Sequence, residues 1–346
     1  MLKILRYCPA RALAKRGLKT VVLGALLLGA ASAGAQDVPF SQFYANPLYL
    51  NPAFAGSAVA PRISLGYRAQ WPGLVSPYTT VSASYDQYFN DLHGGIGAIV
   101  MSDRQGDHGI LNTNMLGVMY AFHFQLTRNI RMSAALQTSL VQNALNVSNA
   151  MRFPGQIDPN LGFVYGLDGV QLPSKTSQIS LDFNAGVLVS SDMWYGGLAV
   201  SHLTQPNQAF YSEDRVPMKI TVHGGAFFNV AEEARRQSSL GFGSPIISPN
   251  IVYQFQGGMH YFNYGVYLDW VPFLVGVWLR HGMENIDAFI FQVGVQQDYF
   301  KVGYSYDVTV SKLANSTAGA HELTVGLLLP VPEQKKKVKA IRCPSF

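Results

Sequence analysis

The chain has 346 residues, of which 48% are hydrophobic, 12% are aromatic and only 13% are charged. That charged fraction is about half of what soluble domains usually have, which favours a protein embedded in lipid. The formal net charge is +5, but six of the 25 basic residues lie in the first 35 positions. The remaining chain has 19 basic and 20 acidic residues, and this balance gives no support for nucleic-acid binding.

Residues 1–35 have the pattern of a cleaved secretion signal. Six basic and no acidic residues precede an apolar run over 21–31, which is too short to span a bilayer. An A-x-A cleavage site ends at Ala35, so the mature chain is expected to begin at Gln36. Cleavage would leave Cys343 as its single cysteine, which excludes an intramolecular disulfide.

The segment 36–60 is rich in proline, asparagine and aromatic residues. Asn46-Pro47 and Asn51-Pro52 are repeated turn signals, because proline fixes φ and the Asn side chain bonds its own backbone. We expect a compact, strand-poor element that plugs or buttresses the periplasmic mouth of the following fold. Packing is favoured over direct contact with a partner, because aromatics in such turns usually act as anchors. Its predicted buried side chains are Phe40, Phe43, Tyr44, Leu48, Tyr49 and Phe54.

Residues 61–330 alternate apolar and polar side chains in segments separated by turn residues. Ile179, Leu181 and Phe183, for example, alternate with polar neighbours, as in a strand with one apolar face. A soluble sandwich could share this pattern, but the export signal, the low charge and an even count of about fourteen segments favour an all-β, transmembrane antiparallel β-barrel. The predicted strands are 61–71, 79–89, 94–103, 111–125, 129–143, 178–190, 194–202, 218–230, 246–256, 258–271, 273–281, 288–298, 300–308 and 321–329.

The predicted connections alternate between short and long. Outer-membrane barrels place short turns in the periplasm and long loops outside, so this parity predicts periplasmic N- and C-termini. Two connections depart from the pattern: 231–245 is long and charged on the periplasmic side, and 256–258 is short for an external loop. The longest predicted external loop is 144–177.

Charged and polar residues inside the predicted strands should avoid lipid. Charge on the lipid face is costly near the middle of the bilayer, so these side chains are expected to point inward or to lie at the rims. The lumen could be a charged pore, but a lumen filled by paired polar side chains is favoured. His123, His223 and Lys219 are expected to face the lumen as solvated groups. The charged strand residues are Asp182, Asp269, Arg280 and Asp307.

No catalytic or metal-binding motif is present in the sequence. The eight histidines have no metal-ligand spacing, no G-x-S-x-G occurs, and the glycine doublets lack the Lys-Ser/Thr of a phosphate cradle. We therefore expect no enzyme activity and no cofactor, and we expect the doublets to help strands bend. The basic tail 331–346 is either a solvated end or a docking segment for an acidic periplasmic partner.

Several segments resemble one protein family. Residues 39–56 read PFSQFYANPLYLNPAFAG, residues 68–72 read RAQWP, and residues 84–86 read SYD. Near the end, residues 304–313 read YSYDVTVSKL and residues 319–322 read GAHE. These segments are similar to those of the PorP/SprF family of outer-membrane proteins, which is associated with type IX secretion and gliding motility.

The resemblance implies a non-enzymatic component of that machinery. Its implied partners are periplasmic ring or peptidoglycan-linked proteins, an exported surface adhesin or its C-terminal domain, and outer-membrane lipid. We expect outside contacts at 144–177 and 309–320, and inside contacts at 36–57, 231–245 and the tail. A channel for small hydrophobic or polar solutes and a soluble secreted sandwich are the alternatives. Predicted partner-binding residues are Phe43, Tyr44, Asn46, Pro47, Asn51, Pro52, Phe54, Trp71, Asp307, His321, Glu322, Lys335, Lys336, Lys337, Cys343 and Phe346.

Overall fold

The computed structural model describes most of the chain after the predicted signal. The described residues are 37–58, 60–106, 109–146, 157–158, 162–163, 175–210, 214–230, 245–283, 285–310 and 317–330. They belong to one compact unit, Gln36–Phe346. In these ranges no helix has the length and apolar character needed to cross a membrane.

Strands make up nearly all of the regular structure. The two short helices are a single α-turn at Pro47–Leu50 and a 3-10 turn at Pro52–Phe54. The strands are β1 Arg62–Gln70, β2 Tyr78–Phe89, β3 Gly94–Gln105, β4 Leu111–Gln125, β5 Arg131–Leu145, β6 Ile157–Asp158, β7 Gly162–Phe163, β8 Ser177–Ser190, β9 Trp194–Ser201, β10 Lys219–Ala226, β11 Phe228–Asn229, β12 Ile246–Gln256, β13 Met259–Trp270, β14 Phe273–His281, β15 Ile286–Gln297, β16 Phe300–Thr309 and β17 Ala320–Leu328.

The strands close into an antiparallel barrel. Strands that follow one another around the wall pair antiparallel: β5 pairs with β8, β10 pairs with β12, and β1 pairs with β17. β11 continues the line of β10 beyond Phe227, so the described residues form a wall of fourteen strands, while β6 and β7 form a separate two-stranded ladder. Because the barrel is closed, the sheet has no edge with unpaired backbone groups, and a lipid environment requires such pairing. The fold class predicted from the sequence is confirmed.

Side chains alternate between a polar interior and an apolar exterior. On β8, Ile179 and Leu181 are exposed on the outer face, whereas Asp182 and Asn184 are buried on the inner face. Arg280 and Asp307 also point inward, as expected for charged groups in a wall surrounded by hydrocarbon. The outward face of the described wall is therefore predominantly apolar.

The two ends of the barrel differ in their connections. We call one the turn end, because 90–93, 126–130, 191–193, 271–272 and 298–299 are short turns there. β1 begins and β17 ends at the turn end. We call the other the loop end, because the connections from β5 to β8 and from β9 to β10 lie there. The expected short exception is also present at the loop end: Gly257 and Gly258 alone join β12 to β13, both with positive φ.

Residues 37–58, here called the plug, lie inside the barrel. Asp37 contacts Lys219, the first residue of β10, and Gln256, the last residue of β12, both at the loop end. Gly56 contacts Asp86 near the turn end, where the chain continues into β1. The plug is compact and strand-poor as predicted, but it runs through the lumen from one end to the other instead of covering one mouth. A barrel of this size has an interior that side chains of the wall alone do not fill.

Candidate functional site: the plugged lumen

Aromatic side chains form the middle of the plug. The Phe43 ring lies 5.1 Å from the Trp278 ring of β14, tilted by 52°, and Tyr44 meets Tyr195 of β9 edge-on at 5.6 Å. Phe54 is fully buried, with its ring 5.3 Å from His223 of β10. Burial of large aromatic surface in a barrel interior is a strong stabilising contribution. The predicted burial of plug side chains is confirmed for Phe40, Phe43, Tyr44, Leu48 and Phe54, and Tyr49 is partly buried.

Asn51 explains the second Asn-Pro turn. Its Oδ1 accepts a hydrogen bond from the Ala53 N–H at 2.9 Å, which caps the 3-10 turn that begins at Pro52. Its Nδ2 lies 3.1 Å from the Val187 carbonyl and 3.1 Å from Nε2 of His223. One side chain therefore holds the local turn and attaches the plug to two strands of the wall.

The first Asn-Pro turn has a similar arrangement. Asn46 precedes the α-turn that starts at Pro47, and its carbonyl accepts hydrogen bonds from Tyr49 and Leu50. The Asn46 Oδ1 accepts a hydrogen bond from the Ser82 hydroxyl of β2 at 3.1 Å. Both asparagines are thus buried between plug and wall, which is why a hydrogen-bonding turn residue is needed at each position.

At the turn end the plug backbone lies directly against the wall. The Gly56 N–H donates to Asp86 at 2.8 Å, and the carbonyls of Ala53 and Ala55 accept from Ser133 and His123. A Cβ at Gly95 would fall on the carbonyl of Ala55. The Gly94-Gly95 doublet therefore allows the plug backbone to approach the wall closely, whereas the sequence analysis predicted a role in strand bending.

At the loop end, wall side chains bind the plug main chain. The Glu322 carboxylate accepts hydrogen bonds from the N–H groups of Ser41 and Gln42 at 2.8 and 3.1 Å. Gln292 donates to the Ser41 carbonyl at 2.7 Å, and Thr324 donates to the Gln42 side chain at 2.6 Å. These residues come from β15 and β17, about 250 to 280 positions along the chain from the plug.

A buried charge network surrounds Ser41. Arg68 of β1 bridges Asp307 at 3.1 Å and Glu322 at 3.0 Å, and it also donates to the Ser41 hydroxyl at 2.7 Å. Arg280 of β14 extends the network to Asp307 at 3.2 Å. Two guanidinium groups thus balance the carboxylates inside the wall, which offsets the large cost of burying each charge alone. The prediction of a lumen filled by paired polar side chains fits this arrangement.

Asp37 forms a second charge cluster at the loop end. Its carboxylate lies 2.8 Å from the Lys219 Nζ, 3.0 Å from the His202 Nε2 and 3.3 Å from the Gln256 Nε2. Burial alone would raise the pKa of Asp37, but the charges of Lys219 and His202 lower it well below the ordinary value. The His202 Nδ1 also lies 2.9 Å from Asp182.

The same cluster fixes the charge of His202. Burial favours the neutral ring, but the carboxylates of Asp37 and Asp182, one at each ring nitrogen, raise the pKa of His202 to about 9. Lys219, His123 and His223 point into the lumen as expected, but Lys219 and His223 are buried rather than solvated, and His123 is half-buried. Each one bonds to the plug, through Asp37, Ala55 and Asn51 respectively.

The structure brings most of the predicted site residues together in the lumen. The plug residues contact Asp307, Glu322 and other wall residues, so they bind their own barrel, and contact with a partner protein stays a prediction. Trp71 lies at the loop end, with its N–H bonded to the Gly319 carbonyl. His321 faces outward, with Nδ1 2.7 Å from the Tyr304 hydroxyl. Lys335, Lys336, Lys337, Cys343 and Phe346 lie outside the described residues.

Several residues of the lumen site were missed from the sequence. Arg62, His202 and Gln256 make contacts that no local motif marks. Arg68 and Asp86 lie in the family-like segments RAQWP and SYD, but neither was assigned to the lumen. One signal in the sequence could have found them: the alternation of each strand shows which charged residues face the lumen, where they can contact the plug. Among the described residues there is no group of three or more His, Cys, Asp or Glu arranged to hold a metal ion.

Solved structures similar to the chain include outer-membrane barrels. The P. putida toluene transporter TodX shares 10% identity, with a TM-score of 0.46, over 80% of this chain and 93% of that chain. Omp33 of Acinetobacter baumannii shares 7% identity, with a TM-score of 0.41, over 79% of this chain and 100% of that chain. At such identities the likeness concerns the fold alone.

A sequence comparison gives no match among curated proteins. A family model does match, over residues 32–327, which is most of the chain, and its description is type IX secretion system membrane protein PorP/SprF. The closed barrel with an apolar outer face is the fold of an outer-membrane protein. The chain therefore belongs to the PorP/SprF family of type IX secretion system membrane proteins.

Proposed function

We propose that this outer-membrane protein is a non-enzymatic anchor that binds an exported surface protein at its loop end and periplasmic envelope proteins at its turn end. Its family membership supports a role in type IX secretion. The short turns would lie in the periplasm and the long connections outside, as in other outer-membrane barrels. Residues 1–35 would be removed as the export signal, and the C-terminal tail would lie in the periplasm.

The plugged lumen is the observation that carries this proposal. Buried contacts tie the plug to strands on every side, including β1, β5, β10 and β17. Buried charges of the inner wall pair with one another or with the plug, as in Arg68–Asp307 and Lys219–Asp37, whereas the Asp103 carboxylate accepts from the neutral groups of Thr80 and Gln105. Such a rigid, filled barrel favours a scaffold for protein contacts over the alternative of an open solute channel.

The proposed outer contacts are the connection from β5 to β8 and the connection from β16 to β17. The proposed inner contacts are 231–245 and the basic tail. Most of 144–177, residues 231–244 and residues 311–316 lie outside the described residues, so these contacts rest on the position of the connections along the barrel. Charge complementarity with the basic tail would favour an acidic periplasmic partner.

Replacement of residues 147–174 by a short Gly/Ser turn tests the proposal. This change keeps the bond from the Leu145 N–H to the Thr176 carbonyl, which closes β5 onto β8, and the bond from the Asn146 N–H to the Ile110 carbonyl, which joins β5 to the start of β4. We expect the barrel to fold, as seen by heat-modified migration on gels, and the exported protein to be lost from the cell surface and from detergent pull-downs. Retention of that protein at the wild-type level would refute the loop assignment.

A further inference from the structure

The wall recognises part of the plug through its main chain. Glu322 accepts two consecutive plug N–H groups, and Gln292 donates to the intervening carbonyl of Ser41. The Asp37 N–H donates to the Gln256 Oε1 at 3.2 Å. None of these bonds depends on which side chain the plug carries, so the wall has the features of a site for an extended peptide.

The wall also contacts three plug side chains, those of Asp37, Ser41 and Gln42, the last through Thr324. The carboxylate of Asp37 receives Lys219, His202 and Gln256, and the hydroxyl of Ser41 lies between Arg68 at 2.7 Å and Asp307 at 2.6 Å. The wall therefore selects a carboxylate four positions before a small hydroxyl residue. Without Asp37, the positive charge of Lys219 would be left buried and without this carboxylate, which is unfavourable.

The two halves of the plug are held in different ways. Gly56 packs against the backbone of Gly95, and the chain there continues directly into β1. Residues 37–42 form neither helix nor strand, and wall side chains hold them. A ligand with equivalent groups can replace a segment held by polar side chains more easily than a segment held by close backbone packing.

We propose that the inner wall at the loop end is a peptide-binding site that residues 37–42 occupy in cis, and that an acidic segment of the exported protein displaces them and binds in trans. This inference rests on the proposed function, because it specifies how the loop end holds the exported protein. The ligand carries an Asp or Glu for Lys219 and His202, followed four residues later by Ser or Thr for Arg68 and Asp307. The turn-end half of the plug stays in place.

The first test is peptide binding to the full-length protein in detergent. The probe is a fluorescent peptide with the sequence of residues 36–44, and the variant Asp37→Asn/Ser41→Gly weakens the cis segment without changing the wall. Because a competitor occupying the site lowers apparent affinity, we expect this variant to bind the peptide at least about tenfold more tightly than wild type. A probe peptide carrying the same two changes should bind weakly to both proteins. Equal, weak binding of the native-sequence probe to the variant and to wild type would overturn the inference.

The second test locks the cis segment in place. Pro39→Cys and Pro217→Cys, in a Cys343→Ser background, would be joined by a flexible bismaleimide, and the uncrosslinked protein is the control. Neither side chain contributes to the peptide site, and the Pro217 carbonyl accepts from Gln256, which also contacts Asp37. We expect crosslinking to abolish peptide binding and to remove the exported protein from pull-downs. If the locked barrel still captures that protein at the wild-type level, the peptide site is wrong. A different result would contradict the proposed function: capture of the exported protein that persists after replacement of residues 147–174.

Discussion

Arg62 and Asp86 form a two-point ion pair where the plug joins the wall. The Arg62 Nε donates to the Asp86 Oδ1 at 2.9 Å, and the Arg62 Nη2 donates to the Asp86 Oδ2 at 3.1 Å. The same carboxylate accepts from the Gly56 N–H, and the same guanidinium donates to the Phe54 carbonyl at 3.2 Å. The pair thus connects the first residue of β1, the facing residue of β2 and the end of the plug.

Asp86→Asn should weaken the barrel strongly. The substitution leaves the buried Arg62 charge without its partner, which typically costs about 3–5 kcal/mol. We expect a lower unfolding midpoint in urea and a lower temperature for heat-modified gel migration. Asp192→Asn is the matched control, because Asp192 pairs with Arg131 at 3.5 Å but is largely exposed, and exposed pairs contribute about 0–1 kcal/mol. Equal midpoints for the two variants would contradict a stabilising role of the Arg62–Asp86 pair.

Gly95→Ala should displace the plug at the turn end. The added Cβ would meet the carbonyl of Ala55, and the backbone on both sides leaves little room for adjustment. Overpacking of this kind costs about 1–3 kcal/mol. Gly196→Ala provides the control, because the nearest atom to its Cβ would be the His223 carbonyl oxygen at 3.8 Å, an ordinary contact. Thermal unfolding of both variants checks the difference. If Gly95→Ala unfolds at the wild-type temperature while Gly196→Ala does not, the close approach of plug and wall is not what requires Gly95.

The barrel could be predicted from the sequence because each strand carries its own signal. The alternation in β8 and β10 follows from the position of every second side chain on one face, and the predicted strands agree with the observed ones within about three residues. The same alternation correctly predicted that Asp182, Arg280 and Asp307 point inward.

The lumen contacts could not be predicted in the same way. Ser41 and Glu322 lie 281 positions apart, and no local pattern pairs them. The Asn-Pro turns and aromatics predicted that the plug packs, but not the surface against which it packs. The alternation of side chains predicts that Lys219 and His223 face the lumen, but it does not show what fills the lumen. For this reason the sequence predicts solvated side chains at these two positions.

Stability of the loop-end cluster should depend on pH through His202. Because Asp37 and Asp182 raise its pKa from 6.5 to about 9, its charged form stabilises the fold fully below pH 6.5, and this contribution is lost as the pH rises through 9. Asp37 acts in the opposite direction: its pKa is lowered from 3.8, so its contribution is present above that value and is lost in acid. Lys219 also faces this pair, with its Nζ 2.8 Å from the Asp37 carboxylate.

We therefore expect the thermal midpoint of the wild type to fall between pH 7 and 10, with a loss on the order of 2 kcal/mol after solvent screening. His202→Gln should be less stable at pH 6.5 and should show a flatter profile over this interval. His93→Asn, in an exposed turn at the other end of the barrel, is the control and should keep the wild-type profile. A parallel decline in His202→Gln and wild type would show that other groups cause the pH dependence.

Deletion of residues 37–57 should produce a weaker and conducting barrel. The wall keeps its closed hydrogen-bonded ladder, so folding into detergent or lipid is expected, but Arg68, Lys219 and Asp86 lose buried partners and the unfolding temperature falls. A polar lumen left unfilled admits water, so planar bilayers should show ionic conductance that the wild type lacks. A synthetic peptide with the sequence of residues 37–57 should reduce that conductance and raise the unfolding temperature, whereas a scrambled peptide should do neither. A deletion variant with wild-type heat resistance and a silent bilayer would show that the plug neither supports nor seals the barrel.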